Sequence, residues 1–92
     1  MKKERLIITT LGADRTGIVA RVSQILAESN VNIEDISQTI LQGYFAMIMI
    51  VDITNSNISL KELKEQLDIK ANEIGVKILV QHENLFSSMH RI

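Results

Sequence analysis

The feature that most constrains the fold of this chain is the stretch Leu11–Val19, which separates two different hydrophobic periodicities. An apolar and β-branched run, residues 6–10, comes before it. After it, apolar residues recur at the spacing of one helix face, from Ile18 onward. This pattern predicts a strand, a tight turn and a helix. Gly12 and Gly17 bound the turn, where we expect the backbone to bend in ways that a Cβ atom would hinder.

The first amide groups of the predicted helix need partners from outside the helix. They have no intrahelical acceptor, and they lie at the partially positive end of the helix dipole. The side chain of Asp14 or Thr16 could accept from them as an N-cap. The carboxylate of a small ligand could do the same. The residues alone leave both interpretations open.

Hydrophobic spacing and turn residues predict the remaining elements. The predicted strands cover residues 5–11, 31–42, 44–53 and 76–81, and the two helices begin near Ile18 and Leu60. A capping box, Ser59 with Glu62, marks the start of the second helix, and Gly75 marks its end. In the second strand, Val31 and Ile33 fall on the opposite face from the later isoleucines, which predicts a β-bulge near Glu34–Asp35.

The third strand has an unusual composition, because Tyr44–Ile53 is apolar almost without interruption. A strand that is apolar on both faces is expected to be covered on both faces. Two helices can cover only one side of a four-stranded sheet. We therefore expect this chain to form a homodimer or a higher homo-oligomer, or to cover the second face with its own C-terminal segment.

The element order β-α-β-β-α-β predicts an α+β, ferredoxin-like sandwich. We expect a four-stranded antiparallel sheet of order 4-1-3-2, with two helices on one face. A short C-terminal helical tail, residues 84–92, is predicted to follow the domain formed by residues 1–83. Its apolar residues recur at helical spacing and should pack on this chain or on a partner. They are Leu85, Phe86, Met89 and Ile92.

Composition excludes several uses of this fold. Ten basic and eleven acidic residues give a net charge of −1, which argues against a nucleic-acid interface. An RNA-recognition domain would need stacking aromatics, and only Tyr44 and Phe45 lie on the central strands. The absence of cysteine excludes a thiolate metal loop. Arg15 and Asn32 are the residue types of an acylphosphatase, but the glycine-rich phosphate loop of that enzyme is absent. We expect a cytoplasmic protein with no cofactor and no membrane segment.

Three motifs make the chain similar to a known family. They are the turn D-R-x-G-I-V within Leu11–Val19, the sequence Val31–Asp35, and the strand Tyr44–Met49. Together they resemble an ACT domain, and the likeness covers roughly residues 6–53. The closest resemblance is to small stand-alone ACT proteins and to the ACT domains of the glycine cleavage system transcriptional repressor.

The resemblance implies a non-enzymatic regulatory domain that binds an amino acid or a similar effector near a dimer interface. It also implies a protein that the domain regulates. The implied ligand-binding residues are Gly12, Ala13, Asp14, Arg15, Thr16, Gly17 and Ile18, faced by Asn32 and Ile33 of a neighbouring chain. Many members carry proline at the position of Thr16, which here adds a hydroxyl. The alternative is a structural or protein-interaction homodimer without an effector.

Overall fold

Four strands and two helices follow one another in the predicted order. The computed structural model describes residues 3–13 and 16–84. Its elements are β1 (Arg5–Ala13), α1 (Ile18–Glu28), β2 (Asn32–Leu41), β3 (Tyr44–Asp52), α2 (Leu60–Ile74) and β4 (Val76–His82). The predictions for Asp14, Arg15 and residues 85–92 lie outside the described residues.

The strands form one antiparallel sheet in the order β2-β3-β1-β4, which confirms the predicted topology. Both helices pack on the same face of this sheet. α1 contributes Ile18, Val22, Ile25 and Leu26 to the core, and α2 contributes Leu63, Leu67, Ala71 and Ile74. Within the described ranges, no helix is long and apolar enough to cross a membrane.

Local signals in the sequence set most element boundaries. Ser59 and Glu62 form the reciprocal capping box at the start of α2, and Gly75 ends that helix in the left-handed conformation. Gln42 and Gly43 both have positive φ, as a two-residue hairpin turn between β2 and β3 requires. Asn30 is left-handed after α1, a conformation that asparagine tolerates. These sites agree with the sequence because each depends on neighbouring residues only.

The predicted bulge is present in β2, where the pairing with β3 shifts between Ile33 and Asp35. Glu34 is the extra residue, and its carboxylate lies 2.8 Å from Lys3 Nζ and 2.9 Å from Arg5 Nε. Beyond the bulge, Ile36, Gln38 and Ile40 pair with the residues of β3 that face the helices. The bulge therefore keeps the isoleucines of β2 on the helix side of the sheet.

The side chains on the two faces of β3 differ in how far they are buried. Phe45, Met47, Met49 and Val51 are buried under the helices. The other side of the sheet, which we call the open face, carries apolar side chains from all four strands. Large exposed members are Leu11, Leu41, Tyr44, Ile48 and Leu79.

Thr10 is a polar residue inside the apolar core. It lies on the helix face of β1 opposite Met47 and Ile78, and it is 0% exposed. Its Oγ1 atom has no hydrogen-bond partner within the described part of the chain. A buried hydroxyl without a partner destabilises the folded state, because it loses its hydrogen bonds to water.

We therefore expect Thr10→Val to raise the free energy of unfolding by about 1 kcal/mol. Valine keeps the branched shape and removes the hydroxyl. Thr10→Ser is the matched control, since it keeps the hydroxyl, removes a methyl group and should lower stability by about 1 kcal/mol. Urea unfolding followed by circular dichroism measures both variants. A less stable valine variant would show that the hydroxyl is satisfied.

Candidate functional site

Gly12 and Ala13 belong to the sheet rather than to the turn, because β1 continues two residues beyond its predicted end. Gly12 pairs with Phe45 on one side and with Val76 on the other. A Cβ atom on Gly12 would lie 2.9 Å from Val76 Cγ1. The prediction that Gly12 bends the chain is therefore wrong. Glycine is needed at this position because β4 begins so close to β1.

Gly17, not Thr16, is the N-cap of α1. Its backbone is left-handed, with φ 90° and ψ 2°. Thr16 comes one residue before the N-cap, so the prediction that it is the N-cap is wrong; Asp14 lies outside the described residues. Glycine has no side chain with which to cap a helix. The first intrahelical hydrogen bond runs from the Arg21 amide to the Gly17 carbonyl at 3.0 Å.

The first turn of α1 lines an open groove at the edge of the sheet. Residues 17–20 form one wall, and Gln38, Ile40 and Phe45 form the other. The groove has a volume of about 520 Å³. The amides of Ile18, Val19 and Ala20 precede the first intrahelical hydrogen bond and have no acceptor within the helix. A small anion could therefore meet apolar walls and polarised amides at the same place.

A second, smaller cleft lies on the other side of the same turn. It has a volume of about 210 Å³, and Thr16, Ile18, Arg21, Glu73 and Ile74 line it. The hydrogen bond from Lys70, and then the charge of Lys70, lower the pKa of the Glu73 carboxyl; Arg21 adds a smaller effect. Glu73 is thus held as an anion at this cleft. An anionic ligand is better suited to the groove on the β2 side.

Asn32 and Ile33 lie at the opposite end of the sheet from the turn. Asn32 pairs with Asp52, which pairs with Arg5 at the start of β1. Gly12 lies seven positions further along β1, or about 23 Å away at the rise of a strand. Asn32 is exposed, whereas Ile33 packs against the core. One chain therefore does not bring these two residues to the turn.

Gln38, Ile40 and Phe45 of the groove were missed by reasoning from the sequence. The signal was present, because the predicted bulge puts Ile36, Gln38 and Ile40 on the helix side. Gln38 is then a polar residue in an apolar row at the strand edge. Tyr44 is exposed on the open face while Phe45 is buried. The two candidate stacking aromatics therefore do not share a surface.

Comparison with known families decides the assignment. A model of the ACT domain matches residues 4–81. The chain belongs to the ACT domain family. ACT domains are small-molecule-binding regulatory domains. The expected resemblance is thus confirmed over nearly the whole chain, and the family is regulatory rather than catalytic.

Similar proteins share this compact organisation. A UPF0237 protein of Methanocaldococcus jannaschii is 52% identical over 88 residues, covering 96% of this chain and 98% of the relative. An ACT domain protein from Streptococcus pneumoniae has 36% identity and a TM-score of 0.79, covering 92% of this chain and 96% of that chain. A structure assigned to a glycine cleavage system transcriptional repressor shares the fold. Its TM-score is 0.77 at 21% identity, over 89% of this chain and 47% of that chain.

The left-handed backbone of Gly17 leads to a stability prediction. Space is available for a side chain, since a Cβ atom on Gly17 would have Arg21 Nε as its nearest neighbour, at 4.0 Å. Any decrease in the free energy of unfolding of Gly17→Ala therefore comes from the positive φ angle, and we expect a decrease of about 1–2 kcal/mol. Gly17→Asn should lose less, because asparagine tolerates this conformation. Thermal unfolding of both variants tests this, and equal losses would contradict it.

Proposed function

We propose that this ACT domain senses an amino acid or a similar carboxylate-bearing metabolite at the β1–α1 turn. The single observation that carries the proposal is the start of α1 at Gly17. This N-cap residue has no side chain to accept hydrogen bonds from the first amides of the helix, and the first turn lines an open groove. The ligand carboxylate would accept from the amides of Ile18–Ala20. The apolar part of the ligand would lie against Ile40 and Phe45. The predicted contacts of Asp14 and Arg15 remain part of this proposal.

We further propose that a second copy of the chain completes the site. β2 is an edge strand, and residues 35–41 contain no proline, lysine or arginine to discourage pairing. Antiparallel pairing of two β2 strands about a two-fold axis near Ser37 would put Asn32 of one copy beside the end of β2 in the other. Asn32 and Ile33 would then reach the groove that they cannot reach within one chain.

Dimerisation through the β2 edge can be tested by substituting two isoleucines that are equally exposed, one on β2 and one on α2. Ile40 on β2 and Ile69 on α2 are each 60% exposed. Ile40→Lys should convert the protein to a monomer, because a charge at the edge opposes strand pairing. Ile69→Lys should leave the mass unchanged, near twice the 10.4 kDa of one chain. Light scattering at micromolar concentration measures both, and a monomeric parent protein would contradict the proposed dimer.

Ligand binding can be found by thermal shift with the twenty amino acids and common metabolic acids. A ligand at a hundred times its dissociation constant stabilises the protein by about 2.7 kcal/mol. Ala20→Glu should remove this shift, because its carboxylate would occupy the amide end of the groove while favouring the helix dipole. Ala27→Glu, at an exposed position near the other end of α1, is the control and should bind normally.

A mixing experiment tests whether two copies share the site. Asn32→Ala and Ala20→Glu should each abolish binding in isolation. A mixed dimer contains one chain of each variant, and one of its two sites is free of both changes. About half of the dimers are mixed after subunit exchange of equal amounts, so about a quarter of all sites should bind the effector again. Calorimetry with the identified effector measures the recovery. No recovery would contradict a shared site, and no shift with any compound would favour a structural dimer without an effector.

A further inference from the structure

The smaller cleft beside the first turn of α1 has opposite charges on its two walls. Thr16 and Arg21 lie on the α1 side, and Glu73 lies on the α2 side. The apolar part of the cleft comes from Ile18 and Ile74, which are only 2% and 8% exposed. A cleft of about 210 Å³ is thus lined by one cation, one anion and two buried isoleucines.

Arg21 lies near the start of α1 without a charged partner. Its side chain folds back toward the turn, because its Nε atom is 4.0 Å from the position that a Cβ atom on Gly17 would take. Within residues 3–13 and 16–84, Arg21 forms no salt bridge and no side-chain hydrogen bond. The first turn of α1 contains no acidic residue. An anionic group in the cleft would therefore meet a guanidinium whose hydrogen-bond donors are available.

Glu73 supplies the opposite charge, and Lys70 holds its carboxylate in place. Lys70 Nζ lies 2.7 Å from Glu73 Oε1, one helical turn earlier on α2. The hydrogen bond and the charge of Lys70 lower the pKa of the Glu73 carboxyl, and the charge of Arg21 lowers this pKa further. Arg21 is thus close enough to act on Glu73 electrostatically, yet the two side chains form no direct ion pair in the described part of the chain. A gap between two opposite charges remains.

We propose that this cleft binds a small zwitterion, a molecule that carries one carboxylate and one ammonium group. The Arg21 guanidinium would donate to the ligand carboxylate, since its planar donors match the two oxygens. The Glu73 carboxylate would accept from the ligand ammonium, and the carbon chain would lie against Ile18 and Ile74. A simple anion would be repelled by Glu73, and a simple cation would be repelled by Arg21. A zwitterion is the charge type that both walls attract.

The cleft and the β2-side groove are separate sites with different chemistry. The residues that line the groove are all uncharged, whereas Arg21 and Glu73 line the cleft. Ala20 lines the groove and the next residue, Arg21, lines the cleft, as expected because consecutive helix residues do not face each other. The zwitterion site therefore does not rest on the function proposed for the groove, and the two sites can be blocked independently.

Titration with β-alanine and γ-aminobutyrate, followed by NMR of the isotope-labelled protein, tests the site. At least one of these probes should produce saturable shifts at Thr16, Arg21 and Glu73, including the Nε–H signal of Arg21. Propionate and ethylamine each keep only one of the two charged groups of β-alanine. Each should bind at least about tenfold more weakly than the zwitterion, because one wall of the cleft then has no partner and repels the remaining charge.

Four variants separate this site from its alternatives. Arg21→Gln and Glu73→Gln should each weaken binding of the probe about tenfold. Glu65→Gln, which removes the same charge about two turns earlier on α2, and Ala20→Glu, which blocks the groove, should each keep the affinity within about twofold.

Three results would overturn the proposal. The first is the absence of saturable shifts with both probes up to about 10 mM. The second is an unchanged affinity in Arg21→Gln or Glu73→Gln. The third is a set of shifts centred on Gln38 that Ala20→Glu removes, which would place the probe in the groove and support the function proposed there instead. The same spectra show whether each variant is folded.

Discussion

The packing of β1 and β3 against the helices is the interaction on which the rest of the molecule depends. Leu6, Ile8, Met47, Met49 and Val51 are fully buried where the two strands meet the helices. Each such side chain stabilises the fold by about 1.5–3 kcal/mol relative to exposure. Because these strands hold the centre of the sheet, β2 and β4 become its edges. The candidate groove lies at the β2 edge, where fewer contacts restrict what can bind.

The sequence was sufficient for the fold because its signals agree with one another. The capping box at Ser59, the hairpin at Gln42–Gly43 and the bulge near Glu34 each follow from residues close in the chain. The strand order follows from topology rules and from the apolar β3. The candidate site was predicted less completely. Its location at the turn could be inferred, but its walls depend on β2, which comes close to α1 only in three dimensions.

The two glycines of the turn show why local reasoning fails there. Both were expected to bend the chain, yet only Gly17 has a positive φ. The need for glycine at residue 12 comes from Val76, which is distant in sequence and close in the sheet. Similarly, no local pattern indicates that Glu34 meets Lys3 and Arg5. A sequence read without its fold reports which residue types are present, but not which long-range neighbour makes each of them necessary.

The bulge at Glu34 has a consequence for insertions and deletions in this domain. Side chains alternate between the faces of a strand, so removing one residue there would invert every position of β2 that follows. Ser37 and Thr39 would turn toward the helices, and Ile36 and Ile40 would join the open face. The groove would lose Gln38 and Ile40 at the same time. A length change of one residue in β2 would therefore alter the core, the groove and the open face together, whereas a substitution alters only one of them.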